Sequence, residues 1–285
     1  MPNTPMYPKK VYLNGEIMDA NAAMIPVFDR GFIFGDGIYE VMAQINGRFF
    51  YREAHINRLK WCLEQIHIDV DVDELEQQIP ALLDASDLSG KDCLLYMQVT
   101  RGVAPRQHSY PNNIQPTVMM YAWPKTLPDI NEDHASVVTL EDFRWSRCDI
   151  KMTSLLGNVM ANEHAKKNHS YETLFIRNGL ITEASHCNVF FVKDDIVYTH
   201  PTGPFILDGI TRIVVLELCD KLGIGVRQEG VPAAEITNMD EAFLTGTSTQ
   251  VLAIKEVNGA ACFENVPGPV TRILQEAFLK LKRSL

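Results

Sequence analysis

The sequence has little that would mark a secreted, metal-stapled or membrane protein. Its six cysteines are scattered and show no C-x-x-C spacing, which argues against a zinc centre or a disulfide framework and favours reduced thiols. No apolar run approaches the length of a transmembrane helix, and prolines 2, 5 and 8 occupy the place of a signal peptide's apolar core. The sequence therefore predicts a cytoplasmic protein without a membrane partner and without a metal site.

Basic residues are also scarce relative to acidic ones. The chain has 26 lysines and arginines against 36 acidic residues, for a net charge of -10, and it has no dense basic run. Because a nucleic-acid partner needs a basic patch to neutralise its phosphates, we expect none. Apolar residues at 46% of 285 positions are enough for a sizeable core, and the length fits two domains or one large one.

The local patterns predict a mixed α/β (α+β) chain in two parts. Asn-Gly pairs predict β-hairpins at 14–15 and 46–47 and a strand pair at 178–179, and apolar periodicity predicts helices over 52–63, 72–83, 155–167 and 270–285. A further helix opens within 204–212 and runs to about 222. Two prolines interrupt the polar stretch 123–129. We therefore predict a small N-terminal domain over 1–122, a linker over 123–129 and a larger domain over 130–285.

Lys151 is the first candidate functional residue. It follows Phe143–Ile150, which alternates like a strand, and it precedes a segment that turns helical. No acidic residue lies at helical spacing to pair with it. A surface lysine near a strand end explains this stretch when it is taken alone, and a functional amine is the alternative.

Arg106 and His108 form a candidate carboxylate site. They lie on a loop after the predicted strand Cys93–Thr100, and they flank a single residue. In an extended conformation both side chains therefore point to the same side. A guanidinium fork and an imidazole that converge in this way suit a carboxylate. A polar loop that contacts only water is the alternative.

Two segments offer the donors that an anion needs. Gly209, Ile210 and Thr211 open a helix, so their backbone amides lie at the positive end of its dipole. Gly246 lets the backbone approach a ligand closely, and Thr247 supplies a hydroxyl donor. Either segment is a candidate phosphate site.

Two charged residues are less specific when taken alone. Glu183 lies at a strand end before a turn of small residues, where functional carboxylates occur. Arg58 lies in the helix over 52–63. A turn acid and a solvated helix charge, respectively, are the alternatives for these two residues.

In their order along nearly the whole chain, these motifs resemble those of the class IV pyridoxal-phosphate aminotransferases, of fold type IV. Within that family the chain is most similar to the D-amino acid-specific members. The segments that carry the resemblance are Asp29–Gly31 with Gly35–Gly37, Cys148–Lys151, Thr182–Glu183 with Asn188–Phe190, Leu207–Arg212 and Thr245–Ser248.

The resemblance implies a fold, a cofactor and a set of contacts. The larger domain is expected to hold a mixed, barrel-like sheet, and the cofactor is pyridoxal 5'-phosphate. Lys151 would form its Schiff base and Glu183 would hold its ring nitrogen protonated. The remaining contacts that the resemblance implies are Leu207 against the ring, Glu172 near the ring hydroxyl, and Arg58, Gly209, Ile210, Thr211, Gly246 and Thr247 around the phosphate.

The resemblance also implies a substrate class. Arg106 and His108 would hold the α-carboxylate of D-amino acids of the D-alanine and D-glutamate type, with 2-oxo acids such as 2-oxoglutarate or pyruvate as acceptors. Phe32 stands where a tyrosine is common, and a lost hydroxyl donor costs about 1 kcal/mol of binding. A homodimer is expected, with the active site near the interface, and the Arg106 loop serves either its own site or that of the neighbouring protomer. Aminodeoxychorismate lyase, a branched-chain or (R)-amine transaminase and a non-catalytic relative stay open as alternatives.

Overall fold

The computed structural model describes residues 7–263 and 265–285, and the chain divides into two compact units. The first unit runs to Leu127 and also includes Ile150–Leu155 and Leu285, and the second comprises Pro128–Asp149 and Leu156–Ser284. The first passage from one unit to the other therefore falls inside the predicted linker. The argument against a signal peptide rests mainly on residues 1–6, which lie outside the described residues.

The first unit is built on a six-stranded antiparallel sheet with the order β2-β1-β6-β5-β3-β4. Its elements are β1 (Lys10–Leu13), β2 (Glu16–Asp19), α1 (Arg30–Phe34), β3 (Gly37–Ile45), β4 (Arg48–Phe49), α2 (Arg52–Gln65), α3 (Val72–Ala85), β5 (Cys93–Thr100) and β6 (Thr117–Pro124). Both predicted hairpins of this unit form, because Asn14 and Asn46 adopt the positive φ angles of 49° and 50° that their turns require. The apolar sides of α2 and α3 share one core with the sheet.

The second unit is built on a nine-stranded mixed sheet with the order β12-β11-β10-β13-β14-β7-β8-β9, and β15 pairs with β14. Its strands are β7 (His134–Glu141), β8 (Glu172–Arg177), β9 (Leu180–Ala184), β10 (Asn188–Lys193), β11 (Ile196–Thr199), β12 (Val226–Gln228), β13 (Glu241–Gly246), β14 (Gln250–Val257) and β15 (Ala260–Ala261). Its helices are α4 (Leu156–Lys167), α5 (Ile210–Leu222), the 3₁₀-helix Ala233–Asn238 and α6 (Pro269–Arg283). None of the helices in the described part of the chain has the length and apolarity needed to cross a membrane.

The segment Phe143–Ile150 is not a strand, so this prediction was wrong. Its polar side chains instead form hydrogen bonds and ion pairs with residues close by in the sequence. Asp142 accepts bonds from both the backbone N–H and the guanidinium of Arg144, and Arg147 pairs with Asp149. Such side-chain bonds compete with the backbone ladder of a sheet.

Residues 150–155 also depart from the predicted domain plan, which placed them in the larger domain. Met152 forms a β-bridge with Ile38, and the Thr153 N–H donates to the Gly37 carbonyl at 2.9 Å. Ile150 and Met152 are buried in the core of the first unit. The apolar character of these residues therefore serves the sheet of the first unit, although the chain has already entered the second.

Candidate active site

Lys151 lies against the start of β3 in the first unit. Its carbonyl accepts a bond from the Tyr39 N–H at 2.9 Å, and its own N–H donates to Cys62 Sγ at 3.3 Å. The Lys151 Nζ lies 4.3 Å from the centroid of the Tyr39 ring, a cation–π distance. Sequence reasoning missed Tyr39, because nothing in the local pattern shows that residues 150–155 lie beside β3.

Arg58 is anchored to a buried acid rather than solvated. Its Nε and Nη2 donate to the two oxygens of Glu40 at 2.9 and 2.7 Å, and His55 Nδ1 lies 2.9 Å from Glu40 Oε1. Burial opposes the charge on Glu40, yet Arg58 and His55 together hold the pKa of this carboxyl well below its usual range. Burial lowers the pKa of His55. Arg58 is therefore a fixed cation in the same unit as Lys151.

Arg106 and His108 turn toward the same aromatic ring. The guanidinium carbon of Arg106 lies 5.3 Å from the centroid of the Phe34 ring, and the two ring centroids of His108 and Phe34 are 5.7 Å apart. Both side chains are exposed on a loop of the first unit. The two side chains share this ring contact, and their joint binding of a carboxylate stays a prediction. Phe32, the third predicted substrate contact, has a residue exposure of 78% on α1.

Glu183 is a buried carboxylate at the end of β9. Arg144 Nη1 donates to its Oε1 at 2.7 Å, and the Leu207 N–H donates to its Oε2 at 2.9 Å. Burial raises the pKa of Glu183 to about 7, although Arg144 opposes this shift. Arg144 is itself fixed by Asp142. The acid is therefore held in one orientation and titrates near neutral pH.

Asn188, which was missing from the predicted site residues, joins the remaining parts of the second unit's site. Its Nδ2 donates to the Leu207 carbonyl at 2.8 Å and lies 3.4 Å from Glu183 Oε2. A Cβ on Gly209 would lie 2.1 Å from Asn188 Oδ1, so this glycine packs directly on the amide. Across the sheet Asn188 pairs with Thr245. The acid, the start of α5 and the end of β13 therefore meet around one side chain.

The start of α5 presents amides that no side chain caps. Gly209 is its N-cap residue and makes no side-chain cap bond. The first amides of a helix have no acceptor within the helix and need one from elsewhere. In α5 these include the amides of Ile210 and Thr211, and both residues are buried. Gly246 and Thr247 lie at the end of β13, where the hairpin to β14 turns. This donor set suits a phosphate.

Glu172 has other partners than the predicted ring hydroxyl. Its Oε1 accepts bonds from the N–H groups of Thr173 and Ser185 and from the Ser185 hydroxyl, and its Oε2 lies 2.5 Å from His186 Nδ1. Burial lowers the pKa of His186, but Cys187 and Glu172 together raise it to about 12. Among the described residues Glu172, His186 and Cys187 hold potential metal-ligand atoms within 4.8 Å of one another. The bonds to Glu172 hold the turn between β9 and β10.

The side chains described here fit pyridoxal 5'-phosphate by their chemistry. An aldehyde needs an amine, and Lys151 supplies one. A ring nitrogen needs a fixed acid, and Glu183 is buried with two donors holding it. A phosphate suits the amides at a helix start, and in α5 the N-cap residue Gly209 makes no side-chain bond to them.

Comparison with known proteins identifies the class. The sequence profile of the family "Amino-transferase class IV" matches residues 37–257. The chain belongs to the class IV aminotransferases, so the resemblance seen in its motifs is confirmed. It is an aminotransferase, and the cofactor of this class is pyridoxal 5'-phosphate.

Two curated relatives cover almost the whole chain. A D-alanine aminotransferase of Bacillus licheniformis is 39% identical over 271 residues, which cover 94% of this chain and 95% of that protein. A D-alanine aminotransferase of Staphylococcus haemolyticus is 38% identical over 275 residues, which cover 95% and 97%.

Solved structures confirm the predicted fold class. The branched-chain amino acid aminotransferase of Escherichia coli superposes with a TM-score of 0.89 at 22% identity, covering 96% of this chain and 95% of that one. A branched-chain aminotransferase of the archaeon Thermoproteus uzoniensis, solved with norvaline, gives a TM-score of 0.85 at 23% identity and covers 96% and 95%. At this identity the likeness concerns the fold alone.

Proposed function

We propose that the chain catalyses the reversible transfer of an amino group from D-amino acids of the D-alanine and D-glutamate type to 2-oxo acids such as 2-oxoglutarate or pyruvate. The observation that carries the substrate class is the placement of Arg106 and His108 on one loop with both side chains against Phe34. The likeness to D-alanine aminotransferases over 94% of the chain supports the same class.

The second unit supplies the contacts for the ring and the phosphate. When bound, pyridoxal 5'-phosphate supplies an aldehyde that condenses with amines and a cationic ring that withdraws electrons. Glu183 would hold a proton at the ring nitrogen, and Arg144, which donates to this acid, would keep it in place. The amides of Ile210 and Thr211 and the hydroxyl of Thr247 would donate to the phosphate.

The remaining cofactor contacts follow the same assignment. The Gly209 and Gly246 backbones would let the phosphate approach, Arg58 would add a fixed positive charge, and Leu207 would back the ring. Glu172 is the predicted contact that the geometry supports least, because both of its oxygens already accept bonds within its own unit.

Lys151 is the group that moves the proton. Its Nζ would take the proton from the substrate α-carbon as general base. It would then deliver this proton to the cofactor carbon that carried the aldehyde, as general acid. The Tyr39 ring, 4.3 Å from Nζ, limits where the ammonium can go. The two backbone bonds of Lys151, to Tyr39 and Cys62, hold the base of the side chain.

The substrate carboxylate binds the Arg106 fork, and His108 donates a further hydrogen bond. The α-amine is then free to react while the carboxylate is held. Phe32 was predicted beside this carboxylate; its side chain offers only apolar contact there.

We also propose a homodimer in the cytoplasm. One segment, here called the 24–32 apolar segment, exposes four large apolar side chains by more than half: Met24, Val27, Phe28 and Phe32. Such exposure is usual for a surface that a protein partner covers. The Arg106 loop would then serve the partner subunit's site. All six cysteines are free thiols, which fits a reducing compartment.

A turnover panel tests the proposed reaction. The purified protein is assayed with 2-oxoglutarate against D-alanine, D-glutamate, L-branched-chain amino acids and (R)-phenylethylamine. We expect turnover of the two D-amino acids alone. Lys151→Ala is expected to lose at least about 10³-fold in kcat, because the proton carrier is gone, and to lose the absorbance of the covalently bound cofactor.

Lys60→Ala is the matched control, since Lys60 lies in the same unit and forms an exposed ion pair with Asp73. Normal turnover by Lys151→Ala would contradict the role of this amine. Preference for L-branched-chain substrates or for the amine would indicate the related transaminases. Consumption of 4-amino-4-deoxychorismate alone would indicate a lyase. A protein that binds no cofactor would indicate a non-catalytic relative.

A further inference from the structure

Arg30 is a buried cation that binds the backbone of the Arg106 loop. It is the first residue of α1 and is almost fully buried. Its Nη1 donates to the Gln107 carbonyl at 2.6 Å, and its Nη2 lies 3.5 Å from the His108 carbonyl. Its guanidinium carbon lies 4.8 Å from the Phe34 centroid, so it contacts the same ring as Arg106 and His108.

Asp36 holds Arg30 in place and connects it to a second arginine. Its Oδ2 accepts bonds from Arg30 Nε at 2.7 Å and from Arg101 Nε at 2.8 Å. Arg101 also donates to the Ile66 carbonyl at 2.7 Å, just beyond the end of α2, and its guanidinium carbon lies 3.5 Å from the Tyr110 centroid. A single carboxylate therefore fixes two guanidiniums, which contact Gln107, His108 and Tyr110 in the second half of the 101–110 loop.

The middle of this loop has few other supports. Its beginning is held by backbone bonds, from the Arg30 N–H to the Gly102 carbonyl and from the Ala104 N–H to the Phe28 carbonyl. Within the described part of the chain, Arg30 is the one donor to backbone carbonyls of residues 105–110. The direction of the Arg106 and His108 side chains therefore depends on these two bonds.

We propose that Arg30 is a positioning residue for recognition of the substrate carboxylate, which acts by fixing the backbone at Gln107 and His108. This inference rests on the proposed function, in which Arg106 and His108 bind that carboxylate. Arginine is needed because one planar group reaches Asp36 and both carbonyls with three different nitrogens. A lysine keeps the charge beside Asp36 but has a single nitrogen, so it releases the loop.

The test compares two substrates that differ in the carboxylate alone. D-Alanine and D-alaninamide share the amine and the α-hydrogen, but only D-alanine offers a carboxylate. In Arg30→Lys we expect kcat/KM for D-alanine to fall by about 10- to 100-fold, through KM, because a displaced contact weakens binding to that extent. The value for D-alaninamide is expected to stay as in the wild type, so the ratio of the two falls.

A binding measurement complements the rates. D-Lactate keeps the carboxylate but has no amine to react, and calorimetry gives its Kd directly. We expect Arg30→Lys to raise the Kd of D-lactate by the same factor by which it lowers the ratio of kcat/KM for D-alanine to kcat/KM for D-alaninamide. Arg52→Lys is the matched control, because Arg52 makes an exposed ion pair with Glu76 in the same unit. It is expected to leave both measurements unchanged.

Each outcome separates the two proposals. If Arg30→Lys lowers both substrates equally, or leaves the ratio unchanged, the positioning role is overturned. If Arg106→Gln lowers the ratio while Arg30→Lys does not, the proposed carboxylate site stands and the inference about Arg30 fails. If Arg106→Gln leaves the ratio unchanged, the proposed carboxylate site itself fails. Should Arg30→Lys not fold, Asp36→Asn replaces it, and an unchanged ratio there overturns the inference in the same way.

Discussion

Glu183 is a buried acid whose charge depends on its surroundings. Burial raises its pKa to about 7 from an ordinary 4.5, even with Arg144 at 2.7 Å. A buried acid with a raised pKa keeps a proton that the unfolded chain has already released. Its contribution to stability is therefore present at low pH and is lost as the pH rises.

This gives a pH dependence with a definite sign. In the cofactor-free protein, the contribution of Glu183 to the free energy of unfolding falls between pH 4.5 and about 7 by about 3 kcal/mol, and it is constant above that window. Glu183→Gln removes the titration. Urea unfolding from pH 4.5 to 8 is expected to show the free energy of unfolding of the wild type falling relative to that of the variant, so that the variant gains an advantage of about 3 kcal/mol over this range.

Other titrating groups cancel in this comparison, since they are common to both proteins. Glu229→Gln, which replaces an exposed acid of the same unit, is the control and is expected to parallel the wild type. If the Glu183→Gln curve also ran parallel to the wild type, Glu183 would carry no raised pKa.

At the scale of single elements, the start of α5 combines two constraints at Gly209. Its φ and ψ of -68° and 136° suit any residue, so only space restricts the position. The nearest atom to an added Cβ is Asn188 Oδ1, at 2.1 Å. An alanine there must push Asn188 away from Leu207 and disturb the amides that we assign to the phosphate.

Gly209→Ala is therefore expected to weaken pyridoxal 5'-phosphate binding by about 10- to 100-fold and to destabilise the protein by about 1–3 kcal/mol. The cofactor Kd follows from a fluorescence titration, and stability from thermal unfolding without cofactor. Gly225→Ala is the control, because its added Cβ would meet only Ile196 at an ordinary 3.6 Å. Equal cofactor affinity in the two variants would remove the start of α5 from the phosphate site.

The same scale shows what local sequence could predict. The hairpin at Asn14-Gly15, helix α2 and strand β5 follow from turn chemistry and periodicity, and the structure has them. The segment Phe143–Ile150 was mistaken for a strand, since the pairing of Arg144 with Asp142 across two residues is invisible in an alternating pattern.

Contacts between distant segments explain what sequence reasoning missed at the site. Tyr39 lies beside Lys151 only because residues 150–155 return to β3, and Asn188 meets Gly209 only because β10 faces the start of α5. Arg30 lies within the Asp29–Gly31 motif, but its bond to the Gln107 carbonyl spans 77 residues. Motif order identified the family, whereas long-range contacts are visible only in the fold.

For the whole molecule, the 24–32 apolar segment and the Arg106 loop are physically joined. Asp29 forms a β-bridge with Val103, and the Ala104 N–H donates to the Phe28 carbonyl at 3.2 Å. A partner that covers Phe28 therefore also lies close to Val103 and Ala104, which precede Arg106 in the loop. The proposed dimer and the proposed carboxylate site are expected to depend on one another.

Phe28→Asp tests this dependence. Phe28 is 60% exposed in a turn, so the substitution leaves the fold intact while it places a charge in the proposed interface. The wild type is expected to sediment at twice 32.2 kDa, and the variant as a single chain that keeps its cofactor absorbance but loses turnover of D-alanine. Ile273→Asp replaces an apolar residue on α6 that is 46% exposed, and it is expected to stay dimeric and active. A dimeric Phe28→Asp protein would move the interface elsewhere, and a monomer with full turnover would show that the Arg106 loop serves its own chain.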